Sequence, residues 1–318
     1  MYFPYLRGRQ YELLALKELV KDGLLGSHVI PVIEPVKISS TFEWTLRTFF
    51  DATLPLALIF NPAVGDYAGD NFIDAYLQKA GDLSSLFPTL LMTKSVEAVF
   101  RQLLSKGIKH SEITIVIDNR DFLEIYKTEF EKISPKYTLF SDERSLRRVV
   151  KQGKVMFEDR FNKQDKNADY SKNVDEFFSD DHLFYKDEGY DGFGDYSIIG
   201  NDYAESGFAP YAVAIHIVYL NAVNELRVRH FISDSNQDIS DVAGKFREAL
   251  AKYIIWEKEW EKERPDLFVG GKPPTRAMAT LNNHWVNETY PGLPTLKKLS
   301  IMHHLELIGR FLDAEANK

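Results

Sequence analysis

Apolar and polar positions alternate in blocks along the first half of the chain. Residues 2–7 (YFPYLR) are apolar and read as an extended strand. Residues 11–23 (YELLALKELVKDG) instead place Leu13, Leu14, Leu16, Leu19 and Val20 on one helical face, and Gly23 suits the helix end. HVIPVIEPV (28–36) is the second strand, followed by a helix through Phe49 and Phe50 that Ser39, Ser40 or Thr41 is suited to cap. The alternation continues through strands at 54–60, 86–93, 113–118, 137–142 and 154–159. The helices between them are predicted near 71–81 and over 95–107, 120–133 and 145–153.

Strand and helix repeating every 25–30 residues or so describe βαβ units and a parallel sheet. The strands are apolar throughout rather than alternating, which predicts cover on both faces. Seven such strands before residue 160 favour a closed (β/α)8 barrel, with an open doubly wound parallel sheet as the alternative.

The pattern then changes. Residues 160–192 are dense in Asp, Lys and Asn and read as a long surface excursion with at most a short helix. DYSIIGN (195–201) is the candidate eighth strand, and SGFAP (206–210) a turn-rich break. Segments 212–220 and 225–232 form a predicted hairpin that a parallel barrel does not need. Long helices follow at 241–263 and 294–316, separated by a loop framed by Pro265, Pro273 and Pro274. The expected division is a barrel domain over 1–235, including the polar segment and the hairpin, with a helical extension over 236–318 packed on it.

Composition narrows the chemistry. With 44% hydrophobic residues the 318-residue chain can bury a core without staples, and the absence of cysteine removes disulfides, thiolate metal sites and cysteine nucleophiles. That usage fits a reducing cytoplasm, the expected location. The opening MYFPYLRGRQ lacks a basic segment ahead of an apolar core, so no secretory leader is predicted, and no run reaches the ~20 apolar residues of a membrane helix. A net charge of −8 gives no global nucleic-acid footprint.

In a parallel α/β fold, function sits at the C-terminal strand ends. Most of these ends carry an ionisable group directly on the apolar run, as in VIE, VID, LFSD and MFED. Glu34, Asp118, Asp142 and Glu158 are the hard oxygen ligands a divalent metal would need for phosphodiester or nucleotide hydrolysis. Arg7, Arg9, Asn61, Lys94, Arg120 and Arg160 would form a rim for an anionic ligand or an acidic peptide. Taken singly, each such residue reads first as a cap, a loop hydrogen bond or a solvated charge, and only the set points to a site; Glu34 and Glu158 as paired carboxylates for glycoside hydrolysis would further require an aromatic-lined cleft that a sequence does not display. Arg7 or Arg9 is the expected partner of Glu34. P-loop, GxGxxG-helix, HExxH and GxSxG signatures are absent. His216 and His230 lie within the hairpin strands; they read first as strand histidines, with a site shared with Asp234 as the sharper alternative. Trp256 and Trp260, one turn apart, read as a packing face, or as a surface for assembly in a non-catalytic scaffold.

The opening resembles the bacterial and phage "beta protein" family. That family begins with a Tyr-x-Pro-x-Leu-Lys/Arg strand, a Glu-x-x-Ala-Leu helix and a Pro-x-x-Glu strand. Here these are Tyr2, Pro4, Leu6 and Arg7; Glu12, Ala15 and Leu16; Pro31 and Glu34. GFGDYSIIG, APYAVAIH and RHFISD extend the likeness over roughly residues 2–235. The resemblance implies an accessory protein of phages and mobile elements, acting in phage–host conflict with a protein partner, nuclease-like proteins included. It supplies no catalytic residues.

Overall fold

The structure, a computed structural model, describes residues 1–66, 85–203 and 210–318. The helix expected near 71–81 lies outside the described residues, as does most of the 206–210 break. The chain divides into two compact units: Met1–Asp159 with Phe184–Tyr196, and Arg160–Leu183 with Ser197–Lys318.

Among the described residues, nine strands are met before residue 200: β1 (Tyr2–Leu6), β2 (Val32–Ile33), β3 (Leu56–Ile59), β4 (Leu86–Leu91), β5 (Thr114–Ile117), β6 (Tyr137–Phe140), β7 (Lys154–Glu158), β8 (Asp175–Ser179) and β9 (Gly192–Asp195). All but β8 belong to the first unit and close into one barrel in the order β1 to β7, then β9. Every neighbouring pair is parallel, and β9 pairs with both β7 and β1. With helices around it, this is a (β/α)8 TIM-barrel-like fold, and the open-sheet alternative falls. The ladder of β2 is only two residues long because Pro31 and Pro35 flank it and have no N–H to donate. Ser39 caps the Ser40–Asp51 helix, its side chain accepting from the Phe42 N–H at 3.2 Å.

The closing strand is not the one expected. Residues 195–201 were predicted as strand eight, but the ladder is GFGD, 192–195. Ser197 (φ 51°) and Gly200 (φ 72°) are left-handed and end the extended run. Two glycines in a strand weaken its sequence signal, yet Gly194 is needed: a Cβ there would lie 2.5 Å from the Phe3 carbonyl oxygen and 3.1 Å from the Phe157 ring. Gly192 meets the Phe3 ring in the same way, at 2.8 Å. Small residues on β9 thus admit the large side chains of β1 and β7 that fill the barrel.

That filling has a parity. Phe3 and Tyr5, Ile30 and Val32, Ala57 and Ile59, Val155 and Phe157 form one buried cluster with Phe87, Leu91, Val116, Leu139 and Tyr196. Successive strand residues face opposite sides. Continued past the strand ends, the inward series reaches Arg7, Glu34, Asn61, Thr93, Asp118 and Asp159. Asp142 and Glu158 fall on the outward series.

The second unit holds an antiparallel sheet in the order β10 (Ala214–Leu220), β11 (Leu226–Ile232), β8. The predicted hairpin is present, but the segment read as a surface excursion supplies its third strand. Long helices span Val242–Glu263 and Leu293–Ala316, and a further helix, Arg276–Val286, starts at Thr275, which caps the Met278 N–H. Trp256 and Trp260 stack at 5.2 Å and are buried against Tyr219, with Trp256 also against Phe231. They are a packing face within this unit, which leaves them unavailable for assembly. No helix among the described residues is long and apolar enough to cross a membrane.

Candidate functional site

The mouth of the barrel is built on Glu34. Its side chain is fully buried at the end of β2, where an isolated carboxylate would carry a heavy desolvation cost. Three donors offset that cost. Arg7, from the end of β1, forms a short ion pair with Oε2. The Tyr5 hydroxyl donates to Oε2 at 2.8 Å, and the Ala63 N–H donates to Oε1 at 2.7 Å. The expected pairing with the first strand is therefore made, and by Arg7. Asn61 works in the same way at the next seam: its amide donates to the Leu91 carbonyl and its carbonyl accepts from the Leu91 N–H, both at 2.8 Å. Asn61 ties β3 to β4 and is occupied in doing so.

Above the core lies an aromatic floor. Tyr5, Phe157 and Tyr196 pack with ring centroids 4.8–5.7 Å apart, and the Arg7 guanidinium sits 5.1 Å from the Tyr5 centroid and 5.6 Å from that of Tyr196. Burial raises the Tyr196 hydroxyl well above the usual tyrosine range; Arg7 opposes this, while Asp118, Glu34 and Asp159 add to it. The charges of these residues, all on the inward series, are thus felt at this hydroxyl. Asp118 itself is exposed and makes no ion pair or hydrogen bond among the described residues.

Asp142 and Glu158 do not join this set. They meet each other on the outward series: Glu158 accepts from the Asp142 N–H at 2.9 Å, and the Asp142 carboxylate takes the Tyr190 hydroxyl at 2.6 Å and Arg147 at 3.2 Å. Among the described residues, no group of three or more His, Asp or Glu side chains is placed to hold a metal ion. The four carboxylates expected as divalent-metal ligands are thus split: Glu34 is in a buried pair with Arg7, Asp118 is unpaired among the described residues, and Asp142 and Glu158 form an outward couple.

The cationic rim divides as well. Arg9 precedes the Gln10–Lys21 helix at its N-cap position. Lys94 lies in the turn after β4, and Arg120 opens a short 3-10 helix, Arg120–Phe122, after the adjacent strand β5; both are exposed, and neither makes an ion pair among the described residues. Arg160 falls in the second unit, where it holds Asp181 in a bidentate pair at 2.8 and 3.0 Å.

Sequence reasoning passed over Tyr5, Phe157 and Tyr196, which are ordinary apolar strand positions until parity turns them inward. No protein-family model, curated protein or solved structure matches the chain.

Proposed function

We propose that the barrel mouth is a recognition site for an anionic ligand with an apolar or planar body, in a cytoplasmic protein of phage–host conflict. The observation that carries this reading is the division of charge. Arg7 is spent on Glu34, while Lys94 and Arg120, just beyond the ends of neighbouring strands, are exposed and have no ion-pair partner among the described residues. A ligand body over Tyr5, Phe157 and Tyr196 would direct its charge to these two cations. An acidic, aromatic segment of a partner protein presents the same chemistry. The setting in phage–host conflict rests on the likeness of the opening motif to the "beta protein" family. A metal-dependent hydrolase is less well supported, because the required carboxylates are not gathered.

Titration calorimetry of the full chain against nucleoside monophosphates and naphthalene sulfonates tests the site. Lys94→Ala/Arg120→Ala should weaken binding by about tenfold or more, the loss of one to two charge-assisted contacts. Unchanged affinity in that variant overturns the assignment. Phage plating efficiency on cells expressing the two forms tests the setting separately.

A further inference from the structure

The second unit contains a histidine relay that opens into a cavity. His216 and His230 are directly opposed across the β10–β11 ladder and lie on the same face of the sheet. Their Nδ1 atoms are 2.7 Å apart, so one of them carries the proton and the other accepts it. His230 is buried, and its Nε2 lies 3.2 Å from Glu176 Oε1 on β8. The second oxygen of Glu176 is occupied by the Asn173 and Asn162 amides at 2.9 and 3.2 Å. A carboxylate only accepts, so His230 must donate from Nε2. Its Nδ1 is then a lone pair, and His216 must donate from Nδ1. The relay leaves the Nε2 of His216 as an acceptor with no hydrogen bond among the described residues. Tyr170 and Phe161 hold both rings, with Tyr170 4.6 Å from His216 and 4.5 Å from His230.

His216 lines a cavity of ≈ 390 Å³, within the size range of small-molecule sites. Ile198, Ile199 and Leu296 give it an apolar wall, Ser300 a hydroxyl, and Lys163 and Lys297 two cations. Burial first, and then the His230 ring, hold the His216 imidazole well below the usual histidine range, so it is neutral near pH 7 and its free nitrogen is a lone pair.

We propose that this cavity binds a small organic anion bearing a hydroxyl or N–H group, a hydroxycarboxylate or a phosphate ester, whose donor is accepted by His216 Nε2 and whose charge is met by Lys163 and Lys297. Glu176 and His230 are positioning residues: they set the tautomer that makes His216 an acceptor rather than a donor. The site is independent of the barrel mouth, since every residue in it belongs to the second unit.

The test uses the full chain labelled with ¹³C,¹⁵N-histidine, whose eight histidines give a resolvable spectrum. At about pH 7.5, where an ordinary imidazole is neutral, His216 should show the Nδ1–H tautomer. Glycerol 3-phosphate should shift its ring resonances saturably, with inorganic phosphate weaker and glycerol weaker still. Lys163→Ala/Lys297→Ala should weaken the glycerol 3-phosphate response by about tenfold or more while leaving the tautomer in place. Glu176→Gln should lower the population of the Nδ1–H form. A resting Nε2–H tautomer at His216 overturns the proposal. So does the absence of a saturable shift up to about 20 mM, or an unchanged affinity in the lysine variant.

Discussion

Replacing Arg7 by methionine should unfold the barrel more readily, and the size of the effect follows from what Glu34 is left with. The carboxylate is fully buried and accepts three bonds, one of them from a guanidinium. Methionine keeps most of the volume but removes the only cation that pairs with Glu34 among the described residues. Two neutral donors remain, from Tyr5 and Ala63. Breaking a buried pair costs about 3–5 kcal/mol, and because the Arg7 side chain is 11% exposed the lower end, about 3 kcal/mol, applies. Glu34→Gln strands Arg7 instead, at a less enclosed position, for about 2 kcal/mol. The double variant Arg7→Met/Glu34→Gln strands neither charge, so it should cost about 3 kcal/mol rather than the sum, a coupling of about 2 kcal/mol. Urea unfolding of the four proteins measures this, with hydrogen exchange of barrel peptides assigning the transition to the first unit, since a chain of two units need not unfold in one step. A coupling below about 0.5 kcal/mol would refute the idea that Arg7 is what allows Glu34 to be buried.

Gly194→Ala should cost about 3 kcal/mol or more, or prevent soluble expression, because its Cβ would meet the Phe3 carbonyl at 2.5 Å. Gly23→Ala, with open space around it, should cost only the ~1–2 kcal/mol of a left-handed residue, and equal effects in unfolding experiments would contradict the close-approach argument. Acid should destabilise the second unit through its buried histidines. His303, bonded to Thr275 Oγ1 and the Val218 carbonyl, is lowered by burial to about 4, and His304 by burial to about 3. The unfolded chain protonates both near pH 6.5, so their stability is present above that value and is lost as pH falls toward 4. Each ring contributes a slope of about 1.4 kcal/mol per pH unit in that window. A urea midpoint that stays level from pH 6.5 to 4.5 would count against this, as would a slope that His303→Gln leaves unchanged.

The barrel was legible because continuous apolar runs at a regular βα spacing have few other solutions in a chain of this size. The position of the closing strand was not, because GFGD carries two glycines and looks like a turn. The residues that decide function were hidden for a related reason. A strand buried on both faces shows no alternation, so VID and MFED look alike when read as strand ends. Only the filling of the barrel, Phe3 with Tyr5 and Val155 with Phe157, assigns a parity. Counted from it, Asp118 turns inward and Glu158 turns outward.

The same logic separates the two histidine readings. Opposed positions in a hairpin share a face, so His216 and His230 had to meet once the register was set by the short connection between the strands. Their acid, however, is not the nearby Asp234, which pairs with Lys252 at 2.7 Å. It is Glu176, diagonal to His230 on a strand whose DEFFS sequence lies in a segment too polar to announce itself. Polar strands form where a neighbouring ladder supplies the hydrogen bonds, and β8 lies along the open edge of β11. That placement gives the unit both its third strand and the carboxylate that orients the relay. A conventional apolar strand at that edge would have completed the sheet and left His216 with no preferred tautomer.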